Sequence, residues 1–249
     1  MERELAQRWI DRYEACQEFY VADREERFTV IGDVLARTGP ERGAPLILDL
    51  GCGPGSLTVR LASRFPTARL IGVDADALLL ALARAAYAGA AEFVEADLAD
   101  LDVDTVLAGR GPVDAVVSTS ALHWLDADTL GALYRRLAGV LRPGGVLVNG
   151  DHLRDAQPVL ADLGPALRDL RAVRSGARRV EDWSGWWAAV AEEPALAGVL
   201  AERGERRAGA ALGGELTVQR HQELLLAAGF AEAGVVWRFG HDTVLVAVR

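Results

Sequence analysis

Residues 46–58, Leu-Ile-Leu-Asp-Leu-Gly-Cys-Gly-Pro-Gly-Ser-Leu-Thr, constrain everything around them. Leu46, Ile47, Leu48 and Leu50 form an apolar run broken only by Asp49, the pattern of a strand covered on both faces. Gly51, Gly53 and Gly55 follow at once, and a helical pattern begins at Ser56. Glycines at such a turn permit backbone angles and close approaches that a side chain would block. The helix behind them turns its unpaired N–H groups and the positive end of its dipole back toward the turn. This opening predicts a strand–turn–helix unit whose turn can receive a carboxylate or a phosphate.

The pattern repeats. Leu57, Leu61, Ala62 and Phe65 recur at helical spacing and Pro66 closes the segment; residues 70–74 are a second buried strand ending in the acid Asp74. Residues 76–88 read as a helix with Asp76 as its N-cap, and residues 92–97 alternate as a strand nearer the sheet edge does. Residues 113–119 form a fourth strand. A helix starting at Asp126 or Asp128 carries Leu130, Leu133, Leu137 and Leu141 and is stopped by Pro143-Gly144-Gly145, before a fifth strand at 146–148. Five alternations predict a doubly wound α/β fold with a mostly parallel sheet and a ligand crevice beyond the carboxyl ends of the strands. Asp74, Asp97, Ser118 and Asp151 stand at or just past those ends, whereas Asp49 lies inside the first strand.

The flanks differ. Residues 3–20 and 24–37 read as helices, the first carrying Leu5, Trp9, Tyr13 and Phe19 or Tyr20 near one face, the second ending in a loop over residues 39–43. Residues 235–239 and 243–248 are strands joined by Gly240-His241-Asp242, too short a connection for a crossover, so they form an antiparallel hairpin. Between them and the fifth strand lies a helical stretch rich in Arg and Ala. The chain therefore divides into N-terminal helices (1–43), an α/β core (44–151 and 217–249) and a helical insertion (152–216).

With 51% hydrophobic and 25% charged residues the chain has the make-up of a soluble globular protein. A formal charge of -9 and a pI near 5.0 weigh against a nucleic-acid partner held by the overall field. The N-terminus is charged with no apolar run behind it, and no stretch is long enough to span a bilayer, so no membrane partner is expected. Cys16 and Cys52 supply neither a disulfide framework nor metal-ligand spacing, and the four histidines are scattered. We expect a cytoplasmic protein with reduced thiols and no metal site, of open oligomeric state, a homodimer among the options.

Two common glycine fingerprints fail. The third glycine of G-x-G-x-x-G is Ser56 here, and no Gly-Lys-Ser/Thr follows. What stands instead is Asp-Leu-Gly-Cys-Gly-Pro-Gly, which resembles motif I of the class I S-adenosylmethionine-dependent methyltransferases, of the small-molecule type 11/12 kind. The resemblance spans roughly residues 45–151, and more loosely 217–249, where a seven-stranded sheet would end in the antiparallel hairpin. It implies methyl transfer to a small-molecule acceptor and assigns the cofactor's parts. Gly51, Gly53 and Gly55 would approach the methionyl end and ribose, with Asp49 orienting the loop or the ammonium. Asp74, 19 residues beyond Gly55, would hold the ribose hydroxyls beside Ala75. Asp97 and the Leu98 N–H would take the adenine edge, and Ser118 would meet the methionyl group.

His123 and Trp124, in Ser-Thr-Ser-Ala-Leu-His-Trp-Leu after the fourth strand, resemble the segment that borders the transferred methyl in small-molecule members. A histidine there suits a general base; hydrogen bonding to the backbone is its structural alternative. Tyr13, Trp124 and Trp186 are the candidate acceptor contacts, core packing being the alternative for each. Trp183, Trp186 and Trp187 share one helical face, and Arg168, Arg171, Arg174, Arg178 and Arg179 read as a solvated face. The Asn/Asp-Pro-Pro-aromatic signature of base-methylating enzymes is absent at residues 118–121. High Ala and Arg usage points to a GC-rich bacterial source, with secondary metabolism as a setting. The competing functions are a non-catalytic S-adenosylmethionine-binding module, a methyltransferase for a macromolecule, and a nicotinamide-dependent oxidoreductase.

Overall fold

The computed structural model describes all residues except 22, 39–42, 177–180 and 204–215, together with the side chains of Phe19, Glu202 and Arg203. Most of the 39–43 loop, Arg178, Arg179 and part of the 152–216 insertion therefore lie outside the described residues, as does the side chain of Phe19.

Two helices, α1 (Arg3–Tyr20) and α2 (Arg24–Thr38), precede the alternating core. The core runs β1 (Leu46–Leu50), α3 (Ser56–Arg64), β2 (Arg69–Asp74), α4 (Ala77–Ala86), β3 (Glu92–Glu95), α5 (Val103–Leu107), β4 (Val113–Thr119), α6 (Ala127–Val140) and β5 (Leu141–His152). Then come α7 (Pro158–Ser175), α8 (Trp183–Glu192), α9 (Ala197–Arg203), α10 (Val218–Ala227), β6 (Glu232–Phe239) and β7 (Asp242–Val248). The seven strands form one sheet in the order β3-β2-β1-β4-β5-β7-β6. β1 to β5 pair in parallel and β7 runs antiparallel to both β5 and β6. The doubly wound sheet and terminal hairpin expected from the sequence are both present, with β3 on an edge.

Alternation along β1 sorts the core. Leu46, Leu48 and Leu50 face a cluster with Leu130, Leu133 and Leu137 of α6 and Leu225 of α10. Ile47 faces Phe28, Ile31 and Leu35 of α2 and Leu57 and Leu61 of α3. A third cluster joins α1, α4 and α8 through Ile10, Leu78, Leu82 and Trp186. Side-chain caps start α4 at Asp76, whose carboxylate accepts the N–H of Leu78 and Leu79, and α6 at Asp126, which accepts from Thr129.

Two details depart from the sequence reading. β5 begins at Leu141, not after the Pro143-Gly144-Gly145 stop. Leu141 pairs with Val113, the register then slips, and Val146 pairs with Ala115. A residue preceding proline is held extended, so Arg142 already belongs to a strand, and Gly144 (φ +73°) absorbs the irregularity. The short α5 was not foreseen, because five residues are too few to establish a period.

The order reverses between β1 and β4, which opens the crevice beyond the carboxyl ends of these strands. No helix among the described residues is long and apolar enough to cross a membrane.

Candidate functional site: a glycine cradle and a histidine–aspartate pair

The turn after β1 is built from left-handed glycines: Gly51, Gly53 and Gly55 have φ of +68°, +55° and +87°. At Gly51 a Cβ would lie 2.2 Å from that of Ala121, so its missing side chain lets the segment after β4 press against the turn. The N–H groups of Gly51 and Cys52 both donate to the Val73 carbonyl of β2, at 2.7 and 3.0 Å.

The three acids singled out in the sequence stand in distinct surroundings. Asp74 accepts the Gly53 N–H on Oδ2 and the Asp76 N–H on Oδ1, both at 2.8 Å, and so holds the cradle to the end of β2. Burial pushes its carboxyl above the usual range even though the N–H groups of Asp76, Gly53 and Ala75 oppose the rise. Asp49 is fully buried; Oδ2 accepts the Thr58 hydroxyl at 2.5 Å, while Oδ1 has no partner among the described residues. Burial, opposed by Thr58 and reinforced by the charge of Asp74, pushes Asp49 up to about 7. Asp97 is exposed past β3, caps Ala99, and adjoins buried Leu98, whose Cδ1 would lie 3.8 Å from a Cβ at Gly51. The Ser118 hydroxyl is committed elsewhere: it donates to the Leu50 carbonyl at 2.8 Å and ties β4 to β1, leaving backbone contacts as that residue's contribution.

Helix α1 crosses this turn. The Tyr13 hydroxyl lies 3.5 Å from where a Cβ of Gly53 would be. Beside it Glu14 accepts the Ser56 hydroxyl at the start of α3 and pairs with Arg24 and Arg60. Burial alone would raise Glu14, but Arg24, Ser56 and Arg60 outweigh it and hold the carboxyl below its ordinary value. Trp186 is fully buried beneath α1, its indole N–H donating to the Trp9 carbonyl at 3.3 Å and its ring edge-on to Tyr13 and Trp9. The packing alternative therefore describes Trp186 here, because helix–helix contact with α1 and α4 encloses it. Trp124 is 49% exposed, its ring 5.0 Å from that of His123.

His123 is paired. Its Nδ1 lies 2.8 Å from Oδ1 of Asp151, and its backbone N–H donates to Oδ2 at 3.2 Å. Asp151 is fully buried near the end of β5; burial would raise it, but the charge and hydrogen bond of His123, with help from His152 and Arg27, hold it down at about 2. An ionised Asp151 accepts the Nδ1 proton, so that in the neutral form of the ring Nε2 is the basic nitrogen.

Arg27, which no sequence pattern marked, braces this pair from the other face of the sheet. It is fully buried, and Nη1 donates to Thr119 Oγ1 (3.1 Å), Ser120 Oγ (2.8 Å) and the Gly150 carbonyl (3.0 Å); Nη2 pairs with Asp242 at 2.6 Å. Ser120 has φ +53°, a left-handed turn that the arginine holds, and the chain leaves it straight into the Leu122–Trp124 3₁₀ turn. A Cβ on Gly150 would fall 2.6 Å from Arg27 Cδ, so glycine makes the guanidinium's room.

Residues 47–145 match the profile of a methyltransferase domain. Over that span, the chain is similar to methyltransferase domains. Among curated relatives, trans-aconitate 2-methyltransferase of Methylobacterium radiotolerans is 37% identical over 183 residues, covering 73% of this chain and 60% of that protein. The Azoarcus enzyme of the same name is 39% identical over 128 residues, 51% of this chain and 47% of its own length. The chain thus spans about half of the curated relatives it matches. The solved structure of magnesium protoporphyrin IX methyltransferase from Synechocystis PCC 6803 with bound SAH shares the fold at a TM-score of 0.57 and 21% identity, over 94% of this chain and 86% of that one. The apo structure of the S-adenosylmethionine-dependent methyltransferase SibL does so at 0.52 and 19%, over 89% and 55%. The matched span runs from β1 to the start of β5, which includes the cradle and His123 but not Asp151 or Arg27.

Proposed function

We propose that this chain transfers the methyl group of S-adenosylmethionine to a small-molecule acceptor. The observation that carries the reading is the unpartnered, fully buried Oδ1 of Asp49 beside a cradle of left-handed glycines. An orphaned carboxylate oxygen is costly to bury, and a cationic ligand group such as the methionyl ammonium offsets that cost. Asp74 retains lone pairs for ribose hydroxyls, Asp97 and the Leu98 N–H suit the adenine edge, and the Ser118 backbone borders the methionyl end. When bound, the cofactor supplies a methyl already activated on a sulfonium. The chain's part is to align acceptor and methyl and exclude water. Tyr13 and Trp124 are the acceptor contacts and His123 the base.

The absence of a third fingerprint glycine at Ser56 disfavours a dinucleotide. A cytoplasmic bacterial enzyme of metabolite or secondary metabolism, without nucleic-acid or membrane partners, goes with the reading, supported by the net charge of -9. Calorimetric titration with S-adenosylhomocysteine tests it, with NADH as control. Saturable binding of the first alone is expected; binding of NADH, or of neither, would overturn it.

A further inference from the structure

If the chain transfers a methyl group, as proposed, its paired histidine bears on the nature of the acceptor. We infer that the acceptor is a hydroxyl or amine that must lose a proton, and that Asp151 is the positioning residue that makes His123 Nε2 the base that takes it. The acceptor's lone pair forms the new bond to the methyl carbon, and the carbon–sulfur electrons return to sulfur. The acceptor proton passes to Nε2 and then to solvent.

The pair is costly to build, since Asp151 is fully buried and one segment is held on it by two hydrogen bonds from His123, with Arg27 fixing Ser120 and Gly150 on either side. A carboxylate acceptor needs none of this, for at neutral pH it has already lost its proton. Nor would the pair attract one: its net charge is zero with the imidazole protonated and -1 with it neutral. Among the described residues, five arginines that α2, α3 and α7 bring to this end are each engaged by an acid: Arg24 by Glu14, Arg27 by Asp242, Arg60 by Glu14 and Glu25, Arg171 by Asp23, and Arg168, whose charge is felt at His152, by Asp169. Among these there is no surplus charge for a di- or tricarboxylate, the acceptor class for which the curated relatives are named.

The test has three arms on the full chain. Nitrogen-15 NMR of the ligand-free protein, followed up in pH until the ring is neutral, should find the remaining His123 ring proton on Nδ1; a proton on Nε2 instead would overturn the proposal. Release of S-adenosylhomocysteine is then followed with phenols, catechols, alcohols and amines against trans-aconitate and citrate. Turnover is expected only in the first group. His123→Ala should slow it about 10²–10⁴-fold, with partial rescue by added imidazole and unchanged S-adenosylhomocysteine affinity. Asp151→Asn should cost at least about tenfold through the wrong tautomer; should that variant misfold, the wild-type tautomer still decides. Turnover of the carboxylic acids alone, of no protic acceptor, or at full rate by His123→Ala would sink the assignment. Failure of the wild-type chain to bind S-adenosylhomocysteine would instead bring down methyl transfer itself, and this inference with it.

Discussion

Asp49 is where burial and charge are most in tension. Its carboxyl, pushed up to about 7, has a folded pKa above its unfolded value near 4, so its stabilising effect is complete below about pH 4 and is lost as pH rises to 7. Each unit in that window costs the ligand-free protein about 1.4 kcal/mol, and the loss stops above 7. Asp49→Asn removes the penalty. Urea denaturation should find the variant gaining on the parent by about 2 kcal/mol between pH 5.5 and pH 8; a constant difference would refute the burial argument. A cationic ligand prefers the ionised form, so affinity for S-adenosylhomocysteine should climb with pH through 7 in the parent and stay flat in Asp49→Asn. At the neighbouring acid, Asp74→Ala removes the acceptors of the Gly53 and Asp76 N–H groups as well as the proposed ribose contact. Calorimetry should then show binding weaker by about 1.5–3 kcal/mol. Both acids were legible in the sequence because their spacing relative to the glycines is local. The His123–Asp151 bond was not, since it joins residues on separate strand ends and only the β4–β5 pairing brings them together.

Helix α1 could be read from its period, but not what it grips. Charges at helical spacing look like a solvated face, and Glu14 looks no different from Glu18 until Ser56, Arg24 and Arg60 arrive from α3 and α2. Its depressed pKa contributes stability that is present above the ordinary glutamate value and lost as pH falls through the lower folded one. Glu14→Ala leaves Arg24, only 10% exposed, without this partner. A stability loss of about 1–3 kcal/mol is expected, together with faster amide exchange in α1 than in β1. Unchanged exchange there would mean that the aromatic packing of Trp9, Tyr13 and Trp186 holds the helix alone. The same limit of local reading applies to Gly72 in β2, an ordinary strand glycine by sequence. A Cβ there would lie 2.9 Å from Phe93 and 3.0 Å from Cys52 Sγ. Gly72→Ala should destabilise by about 1–3 kcal/mol in urea, with the damage centred on the β2–β3 edge.

At the scale of the whole molecule, five alternations were enough to foresee a parallel sheet, because handedness and short connections leave few topologies. Long-range closure was not foreseeable. β7 inserts between β5 and β6 and delivers Asp242 to Arg27 of α2, so the last strand and the second helix jointly brace the turn that carries His123. Cradle, brace and α1 latch thus draw on both ends of the chain, and a ligand seated on them stabilises the fold as a unit. At a free concentration 100 times its dissociation constant, S-adenosylhomocysteine should add about 2.7 kcal/mol. For a chain of 249 residues that raises Tm by about 5–10 °C. NADH should give no shift. Hydrogen exchange should slow in the cradle and in α1 together, since Tyr13 and Glu14 rest on the same turn. Protection confined to the β1–α3 turn, with α1 exchanging as before, would show that the N-terminal helix lies over the cradle without closing it.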